Sequence, residues 1–189
     1  MTPSSPPPPS LSSELASPFP AVRRETVVPA TVGEWRLVAE HLHVEAPSCP
    51  ALVDVTVAVE QAVAASGVAH GQLVIFCRHT TAAVVVNEDE PLLHHDIADF
   101  LERIASSQAD YRHDDFTIRT ENIVPDHGRN AHAHLKTLVL GTTLVLPVLE
   151  GRLALGQWQR VFFLEMDRPK PRVLLLQISG VVPTGQAWA

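Results

Sequence analysis

The sequence predicts an α+β fold, a single compact domain of mostly antiparallel sheet with two to three helices. Three observations carry that expectation. Short β-branched apolar runs occur early and again through the last third, instead of alternating regularly with helices as a parallel sheet would require. Helical periodicity is confined to the middle of the chain. The 189 residues are 46% hydrophobic, enough for one core and too few for two.

The elements follow in order. Residues 1–20 (MTPSSPPPPSLSSELASPFP) are rich in proline and serine. Such a stretch buries too little surface to offset its ordering entropy, so it reads as a disordered extension before a domain at 21–189. Residues 24–30 and 35–40 read as two strands joined near Thr31-Val32-Gly33. Val55, Ala58, Val59, Ala62 and Val63 make one helical face over 54–66, with Asp54 as cap and Gly67 as stop. Two strands follow, 72–77 (QLVIFC) and 82–86 (AAVVV).

Pro91 opens a helix over 91–105. Its buried stripe is Leu93, Ile97, Phe100, Leu101 and Ile104; Asp96 flanks that stripe, and His95 and Glu102 point to solvent. Residues 106–136 are polar and weakly periodic, longer than an ordinary connection, as functional loops often are; a short helix begins near Asn130. Strands at 143–149, 152–155, 157–166 and 172–178 complete the chain, with Glu150-Gly151 as a hairpin turn.

A formal charge of −7 argues against general nucleic-acid binding or attraction to anionic membranes, and no apolar run has the length of a membrane span. Cys49 and Cys77 form no metal or redox motif, and Cys77 reads as a small buried hydrophobe. Without a signal-peptide pattern, the expected compartment is the cytoplasm.

Chemistry concentrates between the strands at 72–77 and 82–86, where Arg78-His79-Thr80-Thr81 brings a cation, an imidazole and two hydroxyls to a sheet rim. Ten histidines are many for this length. His79, His113 and His134 are candidates for a three-imidazole metal site with an open fourth position, against the commoner outcome of satisfied loop histidines. Glu88 and Asp96 are candidates for a general base or for the carboxylate that orients a metal-bound histidine; helix capping is the competing reading. Arg78, Arg129 and Lys136, with Thr80 and Thr81, have the donors to cradle a phosphate. Asn87, Asn130 and Gln159 are further candidate substrate contacts. Trp158 suits core or interface, and Glu165 reads as a solvated charge.

Several pieces in the same order, HTTAAVVVNE, the helical Asp96, YRHDD, NAHAHLK, LVLG, LPVLEGRLALGQWQ and FLEMDRP, resemble the YjbQ family, whose members are labelled secondary thiamine-phosphate synthase enzymes. The resemblance covers residues 24–180, and the family's GTWQ stands here as Gly156-Gln157-Trp158-Gln159. It implies a homotrimer with a histidine-lined pocket near subunit boundaries. It also implies the joining of hydroxymethylpyrimidine diphosphate to thiazole phosphate with release of pyrophosphate. The expectation is thus a small metal-dependent enzyme acting on a phosphorylated small molecule, with zinc at the histidines or magnesium alongside a diphosphate. Two alternatives stand beside it: a metal-dependent hydrolase of a phosphorylated metabolite, and a non-catalytic trimer that binds a small anion.

Overall fold

The computed structural model describes residues 33–123 and 128–183. In chain order its strands are β1 (Glu34–Glu45), β2 (Ala51–Asp54), β3 (His70–Cys77), β4 (Ala82–Glu88), β5 (Thr143–Leu149), β6 (Arg152–Leu153), β7 (Gln159–Glu165) and β8 (Pro171–Val182). The helices are α1 (Thr56–Ser66), α2 (Pro91–Ile104) and α3 (Ala131–Leu140), with a single 3₁₀ turn at Arg112–Asp114. Every strand pairing is antiparallel. A five-stranded sheet has the order β1-β8-β3-β5-β6 and a three-stranded sheet the order β2-β7-β4. The α+β expectation is met.

Period-2 alternation explains how the layers stack. On β7, Val161 and Phe163 enter the main core, which they share with Leu73, Ile75, Leu176 and Ile178 of the five-stranded sheet. Phe162 and Leu164 point the other way, into a second core with Leu101 of α2 and Ala133 of α3. The three-stranded sheet is therefore covered on both faces, by the larger sheet and by two helices. That accounts for the unbroken apolar run on β4, where Ala82 and Val84 face one core and Ala83 the other.

Local signals set the ends of the elements. Asp54 Oδ1 accepts the Thr56 N–H at 2.8 Å, and Gly67 closes α1 in the left-handed region at φ 69°. The Glu90 carboxylate accepts the Leu92 and Leu93 N–H groups, with Pro91 at the first helical position. Glu150 (φ 52°) and Gly151 (φ 75°) both take positive φ, the conformation a two-residue hairpin needs. Thr56 Oγ1 accepts the buried Val161 N–H at 2.8 Å and so ties α1 to β7.

Some expectations need correcting. β1 spans 12 residues and pairs with β8 along its whole length; the strand expected at 24–30 and the extension at 1–20 lie outside the described residues. β2 was hidden in a four-residue run. The strands at 72–77 and 82–86 are neighbours in sequence but belong to different sheets. Asp96 is fully on the exposed side of α2, and the Phe100 and Ile104 end of the expected stripe is half-open to solvent.

Candidate functional site

Because β3 and β4 lie in different sheets, the four residues joining them cross the edge of the main core. That crossing puts Arg78, His79, Thr80 and Thr81 on one wall of a hollow of about 520 Å³. β8 supplies Arg172, and the turn before it supplies Asp167 and Lys170. The third wall comes from the polar segment after α2 and from the start of α3: His113, Arg119, Asn122, Asn130 and His134.

The long polar segment is held by capping. Asp114 Oδ1 accepts the Asn130 N–H at 2.9 Å and the Ala131 N–H at 3.1 Å, which are open donors at the start of α3. The Tyr111 hydroxyl donates to the Ser106 carbonyl at 2.9 Å, and Arg119 donates to the carbonyls of His113 and Asn122. Fixing Asp114 on the helix fixes its neighbour, so the His113 ring meets that of His134 edge to face, 4.8 Å between centroids.

Beneath Thr81 lies an ion pair that sequence reasoning missed. Glu165 is fully buried, Arg172 is 5% exposed, and Arg172 pairs with it through both Nε and Nη2. The same guanidinium donates to Thr81 Oγ1 at 3.2 Å. Glu165 Oε1 also accepts the N–H groups of Met166 and Asp167, so the carboxylate has partners on every side. Glu165 is therefore not the solvated charge its place near a strand end suggested. The signal was available: Glu165 and Arg172 flank a proline-rich turn between two apolar strands.

Electrostatics favour an anion. Burial raises the Asp167 carboxyl, but Lys170 and Arg168 outweigh it and hold the group below its ordinary range, so this acid stays charged and paired. Burial, then Arg172, lowers His79, which keeps that ring neutral. Arg78 is exposed and has no ion-pair partner among the described residues. Asn130, 5% exposed, has a buried Oδ1 with no hydrogen-bond partner among the described residues.

The metal expectation can be tested on His79. The Val173 N–H donates to its Nε2 at 3.1 Å. In a neutral ring the proton then sits on Nδ1, and the only lone pair is already used. Among the described residues no group of three His, Cys, Asp or Glu side chains is arranged to hold a metal ion. The zinc set of His79, His113 and His134 therefore does not form from the rotamers present; the His79 ring would have to turn over and give up Val173. The three rings share a hollow without converging as a metal-ligand set.

Other candidates lie elsewhere in the chain. β4 carries Asn87 and Glu88 away from Thr81, to a place opposite Arg160 and Gln159; six steps along a strand cover about 20 Å. Gln159 turns its Oε1 back to the Gly156 N–H at 2.8 Å. Asp96 is exposed on α2. Arg129 donates to the Ala109 carbonyl and to Asp110. Lys136 is two residues beyond His134, on the opposite side of α3, and pairs with Glu102 at 3.1 Å. Glu102 does not simply point to solvent: burial raises its carboxyl, but Ser106, Lys136 and Ser107 together hold it down to about 2. Trp158 is 64% exposed, and no helix among the described residues is long and apolar enough to cross a membrane.

A family model described as UPF0047 protein YjbQ-like matches residues 40–181, a span that includes every wall of the hollow and all of both sheets except the first half of β1 and the last residue of β8. The chain belongs to this family. A UPF0047 protein of Archaeoglobus fulgidus is 38% identical over 126 residues, 67% of this chain and 89% of the relative. The UPF0047 protein YugU of Bacillus subtilis is 30% identical over 131 residues, 68% of this chain and 89% of the relative. Among solved structures, a protein of unknown function from Sulfolobus solfataricus, described as YbjQ-like, superposes with a TM-score of 0.70 at 34% identity. It covers 78% of this chain and 99% of that one. A hypothetical protein of Aeropyrum pernix gives 0.66 at 38% identity, covering 76% and 98%. The YjbQ-like fold thus accounts for both sheets, while nothing in these relatives' names assigns a reaction.

Proposed function

We propose that this YjbQ-like chain is a small enzyme acting on a phosphorylated small molecule in the hollow at the β3–β4 crossing. The observation that carries the reading is the convergence there of Arg78, Lys170 and Arg172 with the hydroxyls of Thr80 and Thr81 and the His113–His134 pair. Guanidinium, ammonium and hydroxyl donors around one space match the acceptor-rich surface of a phosphate or diphosphate. The resemblance supplies the reaction, formation of thiamine phosphate. In it the pyrimidine methylene–oxygen bond breaks, the bonding pair leaves with pyrophosphate, and the thiazole nitrogen forms the new carbon–nitrogen bond. The cations stabilise charge developing on the departing pyrophosphate. Thr81, whose oxygen accepts from Arg172, keeps its own O–H to donate.

The test is direct. Purified protein given hydroxymethylpyrimidine diphosphate and thiazole phosphate should release thiamine phosphate and pyrophosphate in equal amounts. His134→Ala should slow that release about a hundredfold or more, the range for losing a positioned polar group. Hydrolysis of the diphosphate without coupling would favour the hydrolase alternative. Tight phosphate binding with no turnover would favour the non-catalytic one. The same assay with and without added zinc or magnesium reads any requirement for a metal.

The assembly proposed with this reading is a homotrimer. On the outer face of the five-stranded sheet, Leu37, Phe76 and Val145 are 57%, 40% and 54% exposed, and on α3 Leu138 and Val139 are 82% and 65% exposed. Leu138 lines a shallow hollow together with Thr80 and His134, so a second copy covering it would border the proposed site. Sedimentation equilibrium should give about three times the 20.6 kDa chain mass; a monomer at micromolar concentration would contradict the assembly.

A further inference from the structure

Consecutive positions on an α-helix are about 100° apart, so His132 and His134 of NAHAHLK lie on opposite sides of α3, whereas His132 and Lys136 share one side. On that side, between α2, α3 and the end of β7, is a second hollow of about 410 Å³. Its apolar lining includes Pro50, Ala98, Leu101 and Met166, and its polar lining includes His132 and Lys136.

The His132 ring is 8% exposed, with Nε2 at 3.2 Å from the Met166 carbonyl oxygen. A carbonyl oxygen only accepts, so Nε2 carries the proton and Nδ1 presents a lone pair. That Nδ1 is buried and has no hydrogen-bond partner among the described residues. A buried acceptor left unfilled is destabilising, and a site for a donor is the simplest reason to tolerate one. Burial, then Lys136, lowers the His132 pKa and so keeps the ring a neutral acceptor. Lys136, 6% exposed, gives Glu102 one of its three ammonium donors.

The charges here differ from those of the first hollow. Among the described residues lining this one, Asp99, Glu102 and Asp167 stand with one cation, Lys136, which is already paired with Glu102, so this hollow suits a phosphate less well than the first. Burial, then Glu165 and Asp167, pushes the Cys49 thiol up to about 11, so thiolate chemistry is not what the space offers. We propose that this hollow is a second binding site, for a small neutral ring molecule carrying an N–H or O–H donor beside a carbonyl acceptor. The donor meets His132 Nδ1, the acceptor meets Lys136, and the ring lies on the apolar wall.

The experiment uses the full chain with nitrogen-15 in its histidines, titrated separately with nicotinamide, uracil and pyrophosphate. The Nδ1 resonance of His132 should move saturably with nicotinamide or uracil while the rings of His113 and His134 stay still; pyrophosphate should do the reverse. By calorimetry, His132→Phe should weaken the neutral probe at least tenfold. Lys136→Met should do the same, and it leaves the His132–Met166 contact intact should the first variant fold poorly. An Nδ1 signal unmoved by both neutral probes at millimolar concentration would overturn the proposal. So would variants that bind as well as the unaltered chain, or soaked crystals with ordered water alone at Nδ1.

Discussion

Replacing Arg172 with methionine should destabilise the protein by about 3–5 kcal/mol, because it strands the fully buried Glu165 carboxylate without its cation. For a domain of this size that is a drop in melting temperature of about 10 °C. Two hydrogen bonds from Met166 and Asp167 remain on Glu165 Oε1, and they are what keeps the loss from being larger. The double variant Arg172→Met with Glu165→Gln should recover much of it, since a carboxamide oxygen still accepts those two N–H groups and the buried charge is gone. Thermal unfolding followed by circular dichroism reads both. A single variant within 1 kcal/mol of the unaltered chain would show that the pair is not fixed as described.

The second large effect falls on ligand binding. Arg78 leaves β3 at the rim of the hollow and has no carboxylate to pair with among the described residues, so its charge is available to an anion. Arg78→Ala should weaken pyrophosphate binding about tenfold to a hundredfold, the worth of one charge-assisted hydrogen bond of about 1.5–3 kcal/mol. Arg78→Lys should restore part of that, as a point charge without the planar fork. Gln159→Ala and Lys136→Met should leave pyrophosphate binding unchanged, since Gln159 bonds within its own turn and Lys136 faces the other side of α3.

Much of this was readable from residue patterns, for identifiable reasons. Helices 1 and 2 announce themselves through periodic apolar positions and caps, and the β5–β6 hairpin through Glu150-Gly151, because these are local signals. Arg78, His79, Thr80, Thr81, His113, Asn130 and His134 do line one hollow. What pattern could not supply was which sheet each strand joins. Asn87 and Glu88 stand close in sequence to Arg78-His79-Thr80-Thr81, whereas β4 runs from the hollow to the far end of the smaller sheet and carries them away. The Glu165–Arg172 pair depends on β8 returning beside β7's end, a tertiary event with only a weak sequence trace. Lys136 is a different case: helical spacing from His134 already placed it on the other face, and grouping it with the phosphate donors by charge overlooked that.

The proposed function stands or falls with an anion site at the β3–β4 crossing. Calorimetric titration of pyrophosphate into the unaltered chain and into Arg78→Ala, at equal salt, tests it most directly. One saturable site per chain is expected, weakened at least tenfold by the substitution with the fold intact by circular dichroism. Absence of saturable binding, or equal affinity in the two proteins, would contradict it.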